Sequence, residues 1–404
     1  MLKQIEGGVC APAGFRANGI HCGIRKNKIK KDLALITADV RCATACVYTT
    51  NLVKGAPILV TKKHVEDGYA QAVIVNSGNA NTCNEGGEAL AEEMCRLVET
   101  HAGIAANDVV VASTGVIGQK LSIEPIASGM SELVAGLGAN ASAAAEAIMT
   151  TDTVKKEIAY SFLLDGKLCK IGAMAKGVGM ICPNMATMLM FVTTDIAITP
   201  YMLQKAISAD VKTSLNMLSV DRDTSTNDTL CVMASFLAGN KLIERDNASY
   251  KTFRRALHAV TSAMCRLLAA DGEGATKLIE CKVHGAASPK DARLSAKAVV
   301  NSNLFKAAMF GADANWGRVL CALGYSGAKL DPDQIDVNFR SAAGTLPVCK
   351  GGKGIDFSED FAKVVLSEQE IGVDITVGKG KYSATAWGCD LTYDYVKING
   401  DYRT

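Results

Sequence analysis

The sequence predicts an α/β protein, and two features of the chain carry this prediction. Its 404 residues are 49% hydrophobic and only 21% charged, a composition typical of a soluble chain with a large packed core. Short apolar runs that end in small-residue turns alternate with segments whose apolar residues recur at helical spacing. Such alternation is typical of α/β proteins.

The first half of the chain shows this alternation most clearly. In "YAQAVIVNSGNAN" an apolar run from Ala72 to Val75 ends in a Gly/Asn turn, which predicts a strand. The segment "EGGEALAEEMCRLVETHAG" then has helical apolar spacing and a glycine stop, and "DVVVASTGVIG" predicts a second strand followed by a turn. Two more helices are predicted in "SIEPIASGMSELVAGLG" and "NASAAAEAIMTTD".

The second half begins with the most apolar run of the chain. "TMLMFVTTDIAI", which starts at Thr187, and "DTLCVMASFLAG" predict strands on either side of the helical "PYMLQKAISADVKTSLNML". "SYKTFRRALHAVTSAMCRLLAADGEG" predicts a long amphipathic helix ended by Gly272. The remaining segments, "QIDVNFRSA", "DFAKVVLSEQEIGVDITVG" and "YSATAWGCDLTYDYVKING", alternate and predict strands.

The composition argues against several classes of protein. A formal net charge of +2 indicates no nucleic-acid partner, and the basic run "IRKNKIKKD" is interpreted as a solvated hairpin edge. No stretch has the length of a signal peptide or a membrane span, so a cytoplasmic location is expected. Scattered cysteines and five isolated histidines predict neither a disulfide framework nor a metal site.

Thr187 raises a question of chemistry, because it is a hydroxyl residue at the head of that apolar run. A threonine nucleophile needs a base, and an N-terminal threonine obtains one from its own freed α-amino group. If Thr187 lies in a tight turn, its hydroxyl can attack the carbonyl of Ala186 and cleave the chain there. Gly177, Gly179 and Pro183 suit such a turn. The residues alone equally fit an ordinary β-branched strand residue or a turn hydroxyl.

Eight segments in order then resemble one known family. "AKGVGMICPNMATML" is similar to the cleavage motif of the ornithine acetyltransferases, the bifunctional ArgJ-type enzymes of arginine biosynthesis. The other matching segments are "VNSGNANTC", "STGVIGQKL", "AIMTTDT", "DTSTNDT", "AADGEGATKLIE", "FGADANWGRVL" and "YVKINGDYRT". The resemblance therefore covers nearly the whole chain. One departure is Arg222, at a position where relatives usually carry glycine.

The resemblance implies that the chain cleaves itself between Ala186 and Thr187. Residues 1–186 would form an α chain, and residues 187–404 a β chain whose first residue, Thr187, is the nucleophile. Thr114 and Gly115 of the "STG" segment would form the oxyanion hole, which on the residues alone could equally be a plain strand-to-helix turn.

The resemblance also assigns substrate-binding positions besides Thr187. Lys176 is similar to the family's active-site lysine, and Glu273 to its substrate-binding glutamate. Without the resemblance these would be interpreted as a surface lysine and an exposed loop acid. Thr150, Asn399 and the final Thr404 match further substrate positions, and the register within "TTDT" leaves Thr151 and Thr153 open as alternatives to Thr150.

The implied fold is an α/β sandwich of α/β/β/α type, similar in layering to self-processed aminopeptidases. The implied activity is transfer of an acetyl group from N-acetylornithine to glutamate through acetyl-Thr187, without a metal or other cofactor. Whether acetyl-CoA also serves as acetyl donor is left open. The family usually assembles as two α and two β chains. Two alternatives remain: a self-processed amidohydrolase or aminopeptidase, and a non-enzymatic binding protein that is not cleaved.

Overall fold

The architecture comes from a computed structural model that describes residues 2–27, 29–181 and 188–400. Within these ranges the chain forms sixteen strands: β1 (Lys3–Ile5), β2 (Phe15–Ile20), β3 (Leu33–Tyr48), β4 (Tyr69–Asn79), β5 (Val109–Val116), β6 (Lys156–Leu164), β7 (Lys167–Lys176), β8 (Leu189–Thr194), β9 (Leu218–Ser219), β10 (Thr229–Ala234), β11 (Leu278–Ala286), β12 (Asp336–Ser341), β13 (Gly344–Lys350), β14 (Lys353–Gly354), β15 (Glu370–Thr376) and β16 (Tyr382–Cys389).

The same ranges contain eleven α-helices: α1 (Ala56–His64), α2 (Gly87–Ala102), α3 (Glu124–Ala135), α4 (Ala141–Ala147), α5 (Pro200–Asp210), α6 (Ala248–Ala270), α7 (Pro289–Val300), α8 (Asn303–Phe310), α9 (Trp316–Gly324), α10 (Glu359–Leu366) and α11 (Tyr393–Gly400). Among the described helices, none combines the length and the apolar character that a membrane crossing requires. The predicted α/β fold class is confirmed by these elements.

The chain divides into two compact units, and neither is continuous in sequence. Unit 1 comprises the described residues of Met1–Gly177, Asn184–Val211 and Thr224–Met264. Unit 2 comprises those of Val178–Pro183, Lys212–Asp223 and Cys265–Thr404. Composition does not mark this division, because the sequence has no low-complexity linker between the units.

Unit 1 is built on a nine-stranded sheet of mixed direction. Its strand order is β1-β6-β7-β8-β10-β3-β4-β5, with β2 paired to β3. The pairs β4–β5 and β8–β10 are parallel, and the other pairs are antiparallel. Lys176 pairs with Leu189 of β8, which in turn pairs with Thr229 of β10. The end of β7 and the starts of β8 and β10 therefore lie in one row across the sheet.

Both faces of this sheet are buried, which explains its nearly continuous apolar runs. In β4, Val73 and Val75 join a core cluster that includes α4, whereas Ala72 and Ile74 join a second cluster that includes α2 and α3. Alternate strand residues point to opposite faces, so a strand covered on both faces is apolar at every position. The apolar run from Ala72 to Val75 correctly predicts a buried strand.

Unit 2 has a seven-stranded sheet in the order β14-β13-β12-β15-β11-β16-β9. Helix α7 packs against β11 and β16, and α10 packs against β12 and β13. Residue Arg222 of this unit has a φ of 74°, a left-handed conformation that glycine adopts with little strain. The departure from the glycine of the related family therefore falls at a position where a side chain is disfavoured.

Two predictions of secondary structure were wrong in part. The "DFAKVVL" portion of the second strand-rich segment forms α10, and the "YDYVKING" portion of the third forms α11. In α10 the apolar residues Ala362, Val365 and Leu366 follow helical spacing. The alternating pattern assigned to the whole segment had obscured this spacing. By contrast, the basic run "IRKNKIKKD" lies between the antiparallel strands β2 and β3, as predicted for a hairpin, and β2 pairs with β3 alone among the described strands.

Within unit 1, a histidine of α6 and an aspartate of α5 join the two helices. Nδ1 of His258 lies 2.7 Å from Oδ1 of Asp210, and Oδ2 of Asp210 accepts a hydrogen bond from Thr261 at 2.7 Å. The hydrogen bond to Asp210 raises the pKa of His258 above its usual 6.5. The protonated histidine therefore stabilises the folded state.

We expect His258→Gln to lower the melting temperature in a pH-dependent way. Because the folded-state pKa is raised, the stabilisation is complete below about pH 6.5 and is lost as pH rises through the folded pKa. Since 46% of the His258 side chain is exposed, the effect should not exceed about 1 kcal/mol, or about 2 °C. Calorimetry between pH 6 and 9 measures it.

The control is His101→Gln, because Nδ1 of His101 lies 3.4 Å from the Ser131 hydroxyl instead of a carboxylate. The prediction would be contradicted if the difference in melting temperature between the wild type and His258→Gln stayed constant across this pH range.

Candidate active site

Thr114 and Gly115 lie near the end of β5, inside the strand and not in the turn that the sequence suggested. Gly115 pairs with Gly78, and the register of β4 and β5 becomes irregular at the next residue, Asn79. The φ of Gly115 is 132°, and a Cβ there would lie 2.3 Å from the carbonyl carbon of Gly78. Glycine is therefore required at 115, and such irregularities often mark functional sites.

A buried asparagine fastens the backbone just before Thr114. Nδ2 of Asn227 donates to the carbonyls of Ser113 at 3.0 Å and Ala80 at 2.5 Å. Oδ1 of Asn227 accepts from the hydroxyls of Thr82 and Thr226, both at 2.6 Å. All four hydrogen-bonding positions of the amide are thus used, which makes its orientation unique. Sequence reasoning missed Asn227, although "DTSTNDT" contains it.

Thr150 and the backbone after Lys176 meet at a second buried side chain, Asp152. Its Oδ2 accepts a hydrogen bond from the Thr150 N–H at 3.0 Å, and its Oδ1 accepts one from the Gly177 N–H at 3.0 Å. Lys156 donates to Oδ1 at 2.7 Å. Burial raises the pKa of Asp152, but Lys176, Lys156 and the Gly177 N–H outweigh it and lower that pKa to about 2.

Lys176 is 8% exposed, so it is not the surface lysine of the alternative interpretation. It ends β7 in the row that also contains Leu189 and Thr229, directly beside the start of β8. Gly177 follows with a φ of 138°, which supports the predicted need for glycine at that position. The lysine is therefore placed next to the strand that Thr187 precedes in sequence.

A second carboxyl group near Lys176, that of Asp228, is buried without the compensation that Asp152 has. Asp228 is 2% exposed and precedes β10, and its Oδ2 has no hydrogen-bond partner among the described residues. Burial raises the pKa of Asp228 well above its usual value, against the opposing effects of Ser225 and the Lys176 cation. The environments of Asp152 and Asp228 therefore shift the pKa values of these two carboxyl groups in opposite directions.

In unit 2 the structure brings Glu273 and Asn399 together. Nδ2 of Asn399 donates to Oε2 of Glu273 at 2.8 Å. Glu273 is 8% exposed, which contradicts the exposed loop acid of the alternative interpretation. A Cβ at Gly179 would lie 2.3 Å from the Glu273 carboxyl carbon. Gly179 is thus needed for space near Glu273 rather than for an unusual backbone angle.

Further carboxylates accompany Glu273 in this unit, and sequence reasoning missed them. Asp221 accepts hydrogen bonds from the N–H groups of Met180 at 2.6 Å and Ile181 at 2.7 Å. The Tyr395 hydroxyl lies 3.4 Å from Oδ2 of Asp221. Burial, followed by the charges of Asp221, Asp223 and Glu273, raises the pKa of Tyr395. These three carboxylates would attract a cationic amine.

The predicted site residues are therefore distributed over both units. Thr114, Gly115, Thr150 and Lys176 belong to unit 1, whereas Glu273 and Asn399 belong to unit 2. The predicted cleavage residues Ala186 and Thr187 and the C-terminal Thr404 lie outside the described residues. Their predicted roles remain predictions.

Comparisons with known proteins identify relatives over the full length. Residues 16–404 match the model of the ArgJ family. Arginine biosynthesis bifunctional protein ArgJ of Symbiobacterium thermophilum is 51% identical over 406 residues, covering 100% of both chains. Arginine biosynthesis bifunctional protein ArgJ 1 of Clostridium acetobutylicum is 48% identical over 392 residues, covering 96% of each. The crystal structure of arginine biosynthesis bifunctional protein argJ from Bacillus halodurans is 43% identical with a TM-score of 0.50, and the match covers 53% of this chain and 99% of that chain.

We expect Asn227→Asp to destabilise the protein strongly despite its identical shape. A carboxylate oxygen would replace the amide that donates to Ser113 and Ala80, so oxygen would face two carbonyl oxygens. The expected loss in the free energy of unfolding is about 3 kcal/mol. Urea denaturation at pH 7 measures it.

Thr82→Val serves as a milder comparison, because it removes one hydroxyl donor to the same amide and should cost about 1 kcal/mol. An Asn227→Asp variant within 0.5 kcal/mol of wild type, on the order of ordinary surface changes, would contradict the assignment.

Proposed function

The chain belongs to the ArgJ family, and we infer that it is an acyltransferase of arginine biosynthesis that transfers an acetyl group from N-acetylornithine to glutamate. The observation that carries this inference is the full-length match to curated relatives at 48 to 51% identity. The structure is consistent with this inference, because the surroundings of Gly115, Lys176 and Glu273 suit the roles inferred for them.

The first proposed step is cleavage of the chain between Ala186 and Thr187. The Thr187 hydroxyl attacks the Ala186 carbonyl, the peptide bond becomes an ester, and water hydrolyses that ester. The products are an α chain of residues 1–186 and a β chain of 218 residues, 187–404, with a free α-amine at Thr187. The solved Bacillus halodurans relative supports this step. Its solved chain matches over 99% of its own length but over only 53% of this chain, as expected if that chain is one of two cleavage products.

The second step is transfer of the acetyl group in two half-reactions. The Thr187 oxygen attacks the acetyl carbonyl, and Thr114 and the Gly115 N–H stabilise the oxyanion that forms. The amide C–N bond breaks, and the Thr187 α-amine passes the hydroxyl proton to the departing nitrogen of ornithine. The amine of glutamate then attacks the acetyl ester, which yields N-acetylglutamate and restores the Thr187 hydroxyl.

The charges of the site support binding of these substrates. N-acetylornithine and glutamate both carry an α-carboxylate, and we assign Lys176 as its partner. N-acetylornithine also has a cationic side-chain amine, which the carboxylates Glu273, Asp221 and Asp223 attract. Asn399 is hydrogen-bonded to Glu273 and keeps that carboxylate in place. Thr150 and Thr404 are further substrate contacts that the family resemblance implies.

The remaining properties follow from the family resemblance. The reaction needs no metal and no cofactor, because each step is an acyl transfer that an oxyanion hole and an amine can catalyse. Acetyl-CoA is a second candidate donor, since its thioester could acetylate Thr187 directly. We propose a cytoplasmic assembly of two α and two β chains.

We expect the wild-type protein to move labelled acetyl from N-acetylornithine to glutamate, with ornithine release that depends on glutamate. Denaturing electrophoresis should show two chains in place of one at 42.4 kDa, and mass spectrometry should find the acetyl label on Thr187. Thr187→Ala should give one uncut chain and lose at least about 10³-fold in activity, because the nucleophile is absent.

Thr193→Val is the matched control, because it removes another hydroxyl from the β8 region, one that bonds to the Val9 carbonyl. This variant should still be cut. Acetate release that ignores glutamate would favour the hydrolase alternative, and an uncut wild-type chain with full activity would exclude the proposed mechanism.

We expect Glu273→Gln to weaken binding of N-acetylornithine but to leave chain cleavage intact. The change preserves size and the hydrogen bond from Asn399, but removes the charge that attracts the side-chain amine. The KM for N-acetylornithine should rise about tenfold, as expected for a lost charge-assisted contact. Glu370→Gln, at an exposed acid paired with Arg266, should leave this KM unchanged. If Glu273→Gln impaired chain cleavage as much as it impaired binding of N-acetylornithine, Glu273 would have a structural role.

A further inference from the structure

Asp152 has more partners than a buried ion pair requires. Its side chain is fully buried, as is the side chain of Lys156, its partner at 2.7 Å. Pairing with Lys156 would occupy one carboxylate oxygen. The Asp152 carboxylate also accepts the Thr150 N–H on Oδ2 and the Gly177 N–H on Oδ1, both at 3.0 Å. It therefore ties together two chain segments that are 27 residues apart in sequence.

These two segments carry inferred substrate contacts. Thr150 begins one of them, and Gly177 directly follows Lys176 in the other. The positive φ of Gly177 turns the chain out of β7 at the point where the Asp152 carboxylate holds its N–H. Fixing both N–H groups on one carboxylate determines how Thr150 and the Lys176 backbone are placed relative to each other.

The charges around Asp152 also indicate a role in substrate binding. Two cations, Lys156 and Lys176, act on this one carboxylate and lower its pKa to about 2. Two cations beside one anion leave a positive charge among these three residues. The α-carboxylate of N-acetylornithine or of glutamate would neutralise that charge.

We propose that Asp152 is a positioning residue for acetyl transfer, which holds the Thr150 and Lys176 segments in the arrangement that receives the α-carboxylate of both donor and acceptor. This inference rests on the proposed function. A purely structural role is the alternative, in which Asp152 only neutralises Lys156. Such a pair can be replaced by uncharged residues of similar size without loss, because the desolvation of two ions offsets their attraction.

The test compares Lys156→Met with the double variant Asp152→Asn/Lys156→Met. Both lack the Lys156 charge, and the double variant avoids an unpaired buried lysine at that position. Asparagine has the shape of aspartate, but its Nδ2 would face one of the two N–H donors, and it leaves Lys176 without the nearby anion. Relative to Lys156→Met, we expect the KM values for N-acetylornithine and for glutamate to rise together, each by at least about tenfold.

A matched control separates positioning from the general effect of a buried Asp→Asn change. Asp195 is 3% exposed and accepts the backbone N–H groups of Lys170 at 2.8 Å and Ala13 at 3.2 Å. Asp195→Asn imposes the same chemical conflict away from the inferred contacts. It should lower the melting temperature without changing either KM.

Three outcomes would overturn the proposal. The first is a double variant whose KM values lie within twofold of those of Lys156→Met. The second is a rise in only one of the two KM values, and the third is a fall in kcat alone. The proposed function fails separately, if the wild-type protein itself transfers no acetyl group to glutamate in the same assay.

Discussion

The constraint on which unit 1 depends is the burial of its nine-stranded sheet on both faces. Residues on either side of β4 pack into separate apolar clusters. A buried charge or amide next to such a core needs partners that compensate the loss of water. Lys176 at the end of β7 and Asp228 just before β10 are two buried polar residues of this kind.

The polar groups at these strand ends are held in three different ways. Asn227 is completely satisfied by neutral hydrogen bonds, so its role is to fix the backbone before Thr114. Asp152 is ionised and compensated by cations and N–H groups. Burial raises the pKa of Asp228 well above its usual value, against the attraction of Lys176. These environments shift the pKa values of two carboxyl groups around Lys176 in opposite directions, an arrangement common at functional sites.

Much of the fold was predictable, because strands buried on both faces have continuous apolar runs. β4, β5 and β8 were predicted from such runs, and the helical spacing in α2 and α6 was equally clear. The errors fell at α10 and α11, where short helices follow or precede strands and a few residues fit either period. Gly115 was recognised from its motif, but its placement inside β5 depends on pairing with Gly78, which is distant in sequence.

The family, the α/β class and the candidate residues could be predicted from the sequence, because motif spacing and apolar periodicity are properties of a linear chain. Which side chains are buried and which atoms meet became known from the folded structure. It showed Glu273 enclosed beside Asn399 and Asp152 joined to both Thr150 and Gly177. The physical reason is that protonation and hydrogen bonding depend on burial and on partners within about 3 Å, which residues distant in sequence provide.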